Sequence, residues 1–328
     1  MTSGLSDQPV LVTGASGLVG SNACLTMRAA GRSVRALVRD EAVARQLGHL
    51  GCEVVVGDLR DPAVIRRAVS DVCGVVHCAA VLGGSWSSAT PEEFDTVNYG
   101  VVVSLLEAAA EAGNPRCVLL SSLIVCDRRV TVTETSPLVP VGRGEKSYGM
   151  AKLAAYYYAM HNACRGQDVV QVVPGAIYGP GPFVDRALHP TSFDAPLLAG
   201  LQGALETYLD LPLQWAYVQD VVDVALAALD RGKPGRRYLA LGRPEDVRTL
   251  PEVCNLINEM AGVEHRVRAV DQTSSGFGAM NRLAIAALPD PPFDSSETQH
   301  ALAVVPTTFD EGLKQTLAWL RAHGRVPA

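Results

Sequence analysis

Val10-Leu11-Val12-Thr13-Gly14-Ala15-Ser16-Gly17-Leu18-Val19-Gly20 reads as a strand, a tight turn and the first turn of a helix. Val10 to Val12 is an apolar run. Three glycines follow at a spacing of three, and a helical stretch continues through Asn22, Leu25 and Met27. Gly14 permits the turn, Gly17 lets backbone N–H groups approach a phosphate, and Gly20 allows the helix to lie against the strand. The N-terminus of such a helix directs partial positive charge at the anion. Ser16, Leu18 and Val19 complete the loop and first turn, so Gly14 to Gly20 as a whole is the expected phosphate cradle.

Gly31 ends that helix, and Ser33 to Asp40 is expected as the next strand. In a strand–helix–strand unit of this kind, the second strand ends beside the adenosine ribose. A carboxylate there binds the 2′-hydroxyl of NAD, whereas an arginine neutralises the 2′-phosphate of NADP. Arg39 holds the position, with Asp40 just outside it, so NADP(H) is expected in preference to NAD, which stays possible. A helix over Glu41 to Leu50 leads to the strand Glu53 to Val56, then to Gly57-Asp58-Leu59. Asp58, with Leu59 beside it, is placed to accept from the adenine amino group, while Asp61 suits a helix cap before Pro62. After a helix over Pro62 to Ser70, Gly74 to Cys78 forms a strand ending in the small pair Ala79-Ala80, over which the cofactor can lie. His77 in that strand reads as a satisfied structural histidine.

Glu92 to Gly113 carries apolar residues at helical spacing, interrupted by Asn98, a poor helix former that calls for a reason. Arg116 to Leu120 is the next strand and ends in Ser121-Ser122. Strands alternating with helices give a parallel sheet that binds ligands at its carboxyl edge, where Gly17, Arg39, Asp58, Ala79 and Ser122 would converge. The expected architecture is α/β, a Rossmann-type doubly wound parallel sheet with a smaller C-terminal lobe for substrate. Tyr148 and Lys152 stand four apart at the start of a further helix, on one face. A phenol is too weak an acid for proton transfer near neutrality, and a neighbouring ammonium stabilises its phenolate. Ser122 could hold a substrate oxygen while hydride moves at the carbon.

Thr13-Gly14-x-x-Gly17-x-x-Gly20, Gly57-Asp58-Leu59, Ser121-Ser122, Tyr148-x-x-x-Lys152, Pro174-Gly175-Ala176-Ile177-Tyr178-Gly179-Pro180-Gly181 and Trp215-Ala216-Tyr217-Val218-Gln219-Asp220 stand in one order. Together they resemble the extended short-chain dehydrogenase/reductases, the nucleotide-sugar epimerase/dehydratase superfamily. The ending Glu311-Gly312-Leu313…Trp319-Leu320 extends the likeness to nearly the whole chain. The resemblance implies Ser122, Tyr148 and Lys152 as the catalytic set, with Asn98 supporting a proton relay through the lysine. It further implies that Cys78, Ala79, Ala80, Tyr148, Lys152, Pro174, Ala176 and Ile177 border the cofactor. Leu123 and Ile124 stand where related dehydratases carry an Asp-Glu pair, which argues against sugar dehydration. There is partial similarity to GDP-fucose synthase, whose post-serine cysteine is replaced by Leu123. Its histidine has no match, since His189 is offset and Asp194 lies nearer the expected place. The Ser33 to Asp40 strand resembles the NADPH-using dihydroflavonol-reductase-like branch. These features favour net reduction of a carbonyl in a nucleotide-linked keto sugar or secondary-metabolite ketone. A redox-neutral epimerase that retains NAD(P) shares every catalytic residue and remains the alternative; a non-catalytic NADP-binding sensor is a third reading.

The second half is less regular. Strands are expected at Val169 to Val173 and Arg237 to Leu241, a strand and helix over Trp215 to Leu229, and helices over Pro251 to Ala261 and Asp310 to His323. Trp215 to Leu229 is expected to return to the sheet. Asp271 to Asn281 reads as a loop, and Pro289 to Pro292 as a break. The division expected is 1–178 with about 214–245 for the cofactor domain, and about 179–213 with 246–328 for the substrate lobe. Arg186, His189, Trp215 and Arg282 are candidates to meet substrate. Three consecutive tyrosines, Tyr156 to Tyr158, cannot share one helix face, and the resemblance makes that helix part of a homodimer interface. The chain of 328 residues is 48% hydrophobic with a net charge of -6. No basic stripe suggests nucleic acid, no apolar run suggests a membrane span, and no cysteine or histidine spacing suggests a metal. The eight scattered cysteines and the polar start fit a reduced, cytoplasmic setting.

Overall fold

The computed structural model describes residues 8–83, 87–140, 147–271 and 293–326. Its centre is a seven-stranded sheet. In chain order the strands are β1 (Val10–Thr13), β2 (Val34–Val38), β3 (Glu53–Val56), β4 (Gly74–His77), β5 (Arg116–Leu120), β6 (Val169–Pro174) and β7 (Arg237–Ala240). The spatial order is β7-β6-β5-β4-β1-β2-β3, and every neighbouring pair is parallel. The order reverses at β1, between β2 and β4, where such sheets open a crevice for ligands. This is the Rossmann-like doubly wound fold expected from the sequence.

Strand periodicity explains the two faces. Val10 and Val12 point into one apolar cluster with α1 (Leu18–Ala29) and the helix Val218–Arg231, which supplies Val221, Val222 and Ala225. Leu11 points the other way, onto α3 (Pro62–Val69) and the Val101–Glu111 helix, whose layer includes Val64, Ile65, Leu105 and Leu106, whereas α2 (Glu41–His49) packs on the Val10 face through Val43 and Leu47. Asp61 caps α3 by accepting from Ala63 N at 2.8 Å, and Pro62 opens the helix, as expected. β2 ends at Val38, two residues short of the expected strand, because Asp40 turns to cap α2, accepting from Ala42 N at 2.8 Å.

The expected helix over Glu92 to Gly113 is three segments: a short turn at Pro91–Glu93, a π-helical stretch at Phe94–Gly100, and the α-helix Val101–Glu111. Asn98 lies in the π-helical part. A second core cluster gathers Tyr178, Leu197, Trp215, Leu250, Phe309, Leu313 and Leu320 beyond the carboxyl edge. Trp215–Tyr217 pairs with Ala176–Tyr178 in a separate two-stranded sheet, so this segment does not rejoin the main sheet as a strand. The stretch 272–292, including most of the expected loop, the proline break and Arg282, lies outside the described residues.

Candidate functional site

The phosphate end is built as its glycines require. Gly14 has φ +66°, and a Cβ on it would lie 2.6 Å from Ala79 N. A Cβ on Gly20 would collide with the Gly14 carbonyl, so close helix–strand packing demands glycine there. Gly17 begins α1 without any side-chain cap, and its N–H closes the loop on Gly14 O at 2.9 Å. The first-turn N–H groups of α1, around Leu18 and Val19, therefore have no intrahelical acceptor. Ser16, Gly17, Leu18 and Val19 are all partly accessible. A glycine cradle with uncapped helix N–H groups fits a dinucleotide pyrophosphate.

At the adenosine end Arg39 is exposed, one residue past β2. Asp58 does not present a free carboxylate: Oδ1 accepts from Arg60 N at 2.8 Å and Oδ2 from Arg60 Nη2 at 2.6 Å. Those bonds, with a smaller contribution from Arg39, lower its pKa. The expected adenine contact of Asp58 is thus already taken by its neighbour two residues on, whereas Leu59 stays partly accessible. Arg186, expected to meet substrate, pairs with Asp40 at 3.4 Å and so lies on the cofactor side.

The catalytic end lies one strand pair across the crevice. β5 delivers Ser122 in extended backbone (φ -159°, ψ 148°) just past Leu120. Helix α4 (Tyr148–Cys164) starts at Tyr148, where Ser147 caps it by accepting from Met150 N at 3.3 Å. The Tyr148 side chain lies beside Ser122; burial raises its pKa, and the nearby serine hydroxyl works against the rise. Lys152 is buried, and Nζ donates to Leu120 O at 3.0 Å. Burial lowers its pKa to about 8, opposed by Cys78 nearby.

Asn98 finds its reason in the loop after β4. Its Oδ1 accepts from Val81 N at 2.8 Å and its Nδ2 donates to Val81 O at 2.9 Å, which pins the segment following Ala79 and Ala80. Both ends of the side chain are engaged there rather than on Lys152. That pinned segment matters because Gly83 lies under Tyr148, where a Cβ would be 2.8 Å from the tyrosine Cβ. Phe94 meets the Tyr148 ring edge-on at 6.1 Å. Neither Gly83 nor Phe94 was expected as a site residue; the Gly83-Gly84 pair is the signal that could have drawn attention to them. His77 is only half satisfied: Nδ1 is 2.7 Å from Thr13 Oγ1, while Nε2 has no protein partner.

Pro174 ends β6 opposite Ala240, and Ala176 N donates to Gln214 O at 2.8 Å, so Ala176 and Ile177 run past the same edge. Trp215 is not a substrate contact. It is 1% exposed, packed against Tyr178, Phe193 and Phe309, and its Nε1 donates to Arg248 O at 2.9 Å. His189 is held by Thr191 at 2.9 Å on the surface. Of the tyrosine triplet, Tyr156 is buried, Tyr157 is 48% exposed and Tyr158 stacks edge-on with Tyr99. All eight cysteines are free thiols. Among the described residues, no group of side chains could hold a metal and no helix is long and apolar enough to cross a membrane.

Comparison with known proteins agrees with this geometry. The chain is 28% identical over 336 residues to sterol demethylase protein B of Methylococcus capsulatus, covering 96% of this chain and 99% of that one. It is 28% identical over 330 residues to a dTDP-4-dehydro-6-deoxy-D-allose reductase of a Streptomyces species, covering 96% and 97%. The fold is similar to the crystal structure of a nucleoside-diphosphate-sugar epimerase from Pseudomonas aeruginosa, with a TM-score of 0.79 at 22% identity over 98% of this chain and 100% of that one. Residues 10–240 match the model of the NAD dependent epimerase/dehydratase family, and the chain belongs to that family, as an NAD(P)-dependent oxidoreductase or epimerase.

Proposed function

We propose that this protein is an NADPH-dependent reductase of a ketone, either a nucleotide-linked keto sugar or a secondary-metabolite carbonyl. The observation that carries the reading is the Ser122–Tyr148 hydroxyl pair, set beside the buried Lys152 on the edge that also carries the glycine cradle. Ser122 would orient the carbonyl oxygen and Tyr148 would protonate it, a transfer for which the two side chains lie close together. Lys152 would hold the nicotinamide ribose and, drawn towards Tyr148, favour its phenolate. Gly14, Ser16, Gly17, Leu18, Val19 and Gly20 would hold the pyrophosphate. Arg39 would hold the 2′-phosphate, with Leu59, Cys78, Ala79, Ala80, Pro174, Ala176 and Ile177 lining the bed. The nicotinamide, when bound, supplies the hydride.

A reductase that spans nearly the full length of this chain supports the reduction, and Arg39 supports NADPH over NADH. The residues 1–178 with about 214–245 would form the cofactor domain, and the aromatic cluster about Trp215 would back the substrate lobe. The exposed Tyr157 supports a homodimer built on the Tyr148–Cys164 helix. Consumption of NADPH against a panel of keto sugars and ketones tests the reading. Tyr148→Phe should slow turnover by about a hundredfold or more while leaving NADPH binding intact. Turnover unchanged by that substitution would sink the assignment. NAD that stays tightly bound through purification, with no net consumption of NADPH, would instead favour a redox-neutral epimerase.

A further inference from the structure

A small cavity lies against Lys152. Its volume is about 10 Å³, close to what one water needs. Its walls include His77, Asn98, Ser121, Lys152, Tyr156 and Gln171. Two of these side chains are at least nine-tenths buried and present a polar atom with no protein partner: His77, 1% exposed, through Nε2, and Ser121, 8% exposed, through Oγ. Leaving such groups unpaired in the interior is costly. The Lys152 ammonium has three protons, one of which is given to Leu120 O. An apolar void would stay dry, but one lined by an ammonium, an imidazole and a hydroxyl offers a water the two to four partners it requires.

We infer that this cavity holds one ordered water that joins the Lys152 ammonium to His77 Nε2 and Ser121 Oγ, making His77 and Ser121 positioning residues for the lysine. The inference rests on the reading of Lys152 as part of the catalytic set. Lys152 donates to the water, and the water donates onward to His77 Nε2. That assignment requires the neutral imidazole with its proton on Nδ1, donated to Thr13 Oγ1. Neutral histidine is what burial dictates, aided by the nearby ammonium: its pKa is lowered to about 3. The chain Thr13–His77–water–Lys152 then runs from the end of β1, next to the glycine cradle, to the catalytic helix. It opposes the desolvation that would otherwise strip the ammonium of its proton. The titratable groups around Lys152 are His77 and Cys78 from the end of β4, and Tyr156 and Tyr148 on its own helix.

Two measurements on the purified full chain decide the matter, and neither uses turnover, so they are readable even if the reductase reading fails. A high-resolution crystal structure should show an ordered solvent peak within hydrogen-bond reach of His77 Nε2 and Ser121 Oγ; a dry cavity overturns the proposal. Carbon-labelled lysine followed by NMR across pH, with Lys152→Met identifying the resonance, gives the titration of Lys152 directly. Ser121→Ala, a small change that keeps the strand, should lower its midpoint by about one pH unit, a tenfold loss in proton affinity. His77→Asn supplies an independent readout of the same shift should Ser121→Ala fold poorly. Ordered solvent with no shift in either variant overturns the positioning role.

Discussion

The crevice edge between Gly14 and Ser122 and the lobe around Trp215 handle their polar groups in opposite ways. Along the edge, α1 starts without a side-chain cap, Arg39 is exposed, and Ser122, whose Oγ accepts from Ile124 N at 3.4 Å, lies beside Tyr148. In the lobe, Tyr178, Trp215, Tyr217 and Phe309 pack ring against ring, Trp215 Nε1 is satisfied by Arg248 O, and Tyr217 donates to Gln315 at 2.6 Å. One region keeps donors available for a ligand, and the other pairs the polar tips of Trp215 and Tyr217 internally. The difference predicts where substitutions act: backbone geometry should dominate at the edge, and packing and buried charge in the lobe.

Glycine pairs give the largest test of that contrast. Gly20 and Gly312 both lie in helices where alanine normally gains about 1 kcal/mol, and at both an added Cβ would overlap a neighbour. At Gly20 the neighbour is the Gly14 carbonyl, fixed by the strand and the turn; at Gly312 it is the Tyr178 hydroxyl, the far end of a side chain. Gly20→Ala should therefore cost about 3 kcal/mol in urea denaturation and weaken cofactor binding with it. Gly312→Ala should cost about 1 kcal/mol and leave cofactor affinity unchanged. Equal losses at the two sites would erase the distinction between a backbone neighbour at the edge and a side-chain neighbour in the lobe.

The lobe also buries a carboxyl that the edge would not tolerate. Asp194 is fully buried; Oδ1 accepts from Gly179 N at 2.9 Å and Oδ2 has no protein partner. Burial raises its pKa to about 8, with the Gly179 bond working the other way. The folded chain thus holds a proton that the unfolded chain, with an ordinary carboxyl near 3.8, gives up earlier. The stability it confers is full below about pH 4, declines as pH rises, and is lost above about pH 8. Asp194→Asn keeps an acceptor for Gly179 N–H and cannot ionise. The stability of the wild type should fall by about 4 kcal/mol between pH 5 and pH 8 relative to the variant, as read by thermal unfolding. Parallel profiles for the two proteins would show that Asp194 is charged in the fold.

The same contrast explains what could be read from sequence. Gly14, Gly17 and Gly20, the Asp61-Pro62 cap and the Tyr148-x-x-x-Lys152 pair are encoded by short spacings, each of which fixes one turn of backbone. What sequence missed depends on partners far along the chain. Asn98 needs Val81 to explain it, and Tyr148 rests on Gly83 and Phe94. Trp215 resembled a substrate contact because an aromatic after a loop suits either role; only Tyr178 and Phe309, brought from 37 residues before and 94 after, show it to be core. The Asp58 ion pair was missed for the opposite reason. Arg60 is so close in sequence that the pair satisfies itself.

The smallest expected effect concerns the cofactor's phosphate and sharpens the account of the edge. Arg39 is exposed, so its attraction for a 2′-phosphate is partly screened and amounts to about 1–2 kcal/mol. Arg60 is held bidentate by Asp58 and Arg186 leans on Asp40, which leaves Arg39 the freest of the three for that phosphate. Arg39→Asp should weaken NADPH about tenfold or more in a fluorescence titration while leaving NADH close to its wild-type affinity. Arg60→Ala should instead free the Asp58 carboxylate, which then repels the phosphate and is available to the adenine amino group. Its effect on NADPH should be smaller than that of Arg39→Asp, and raised salt should shrink both. A wild-type chain that binds NADH as tightly as NADPH would mean that Arg39 faces solvent with the cofactor bound, and that an exposed cation after β2 is too loosely held to choose between the two.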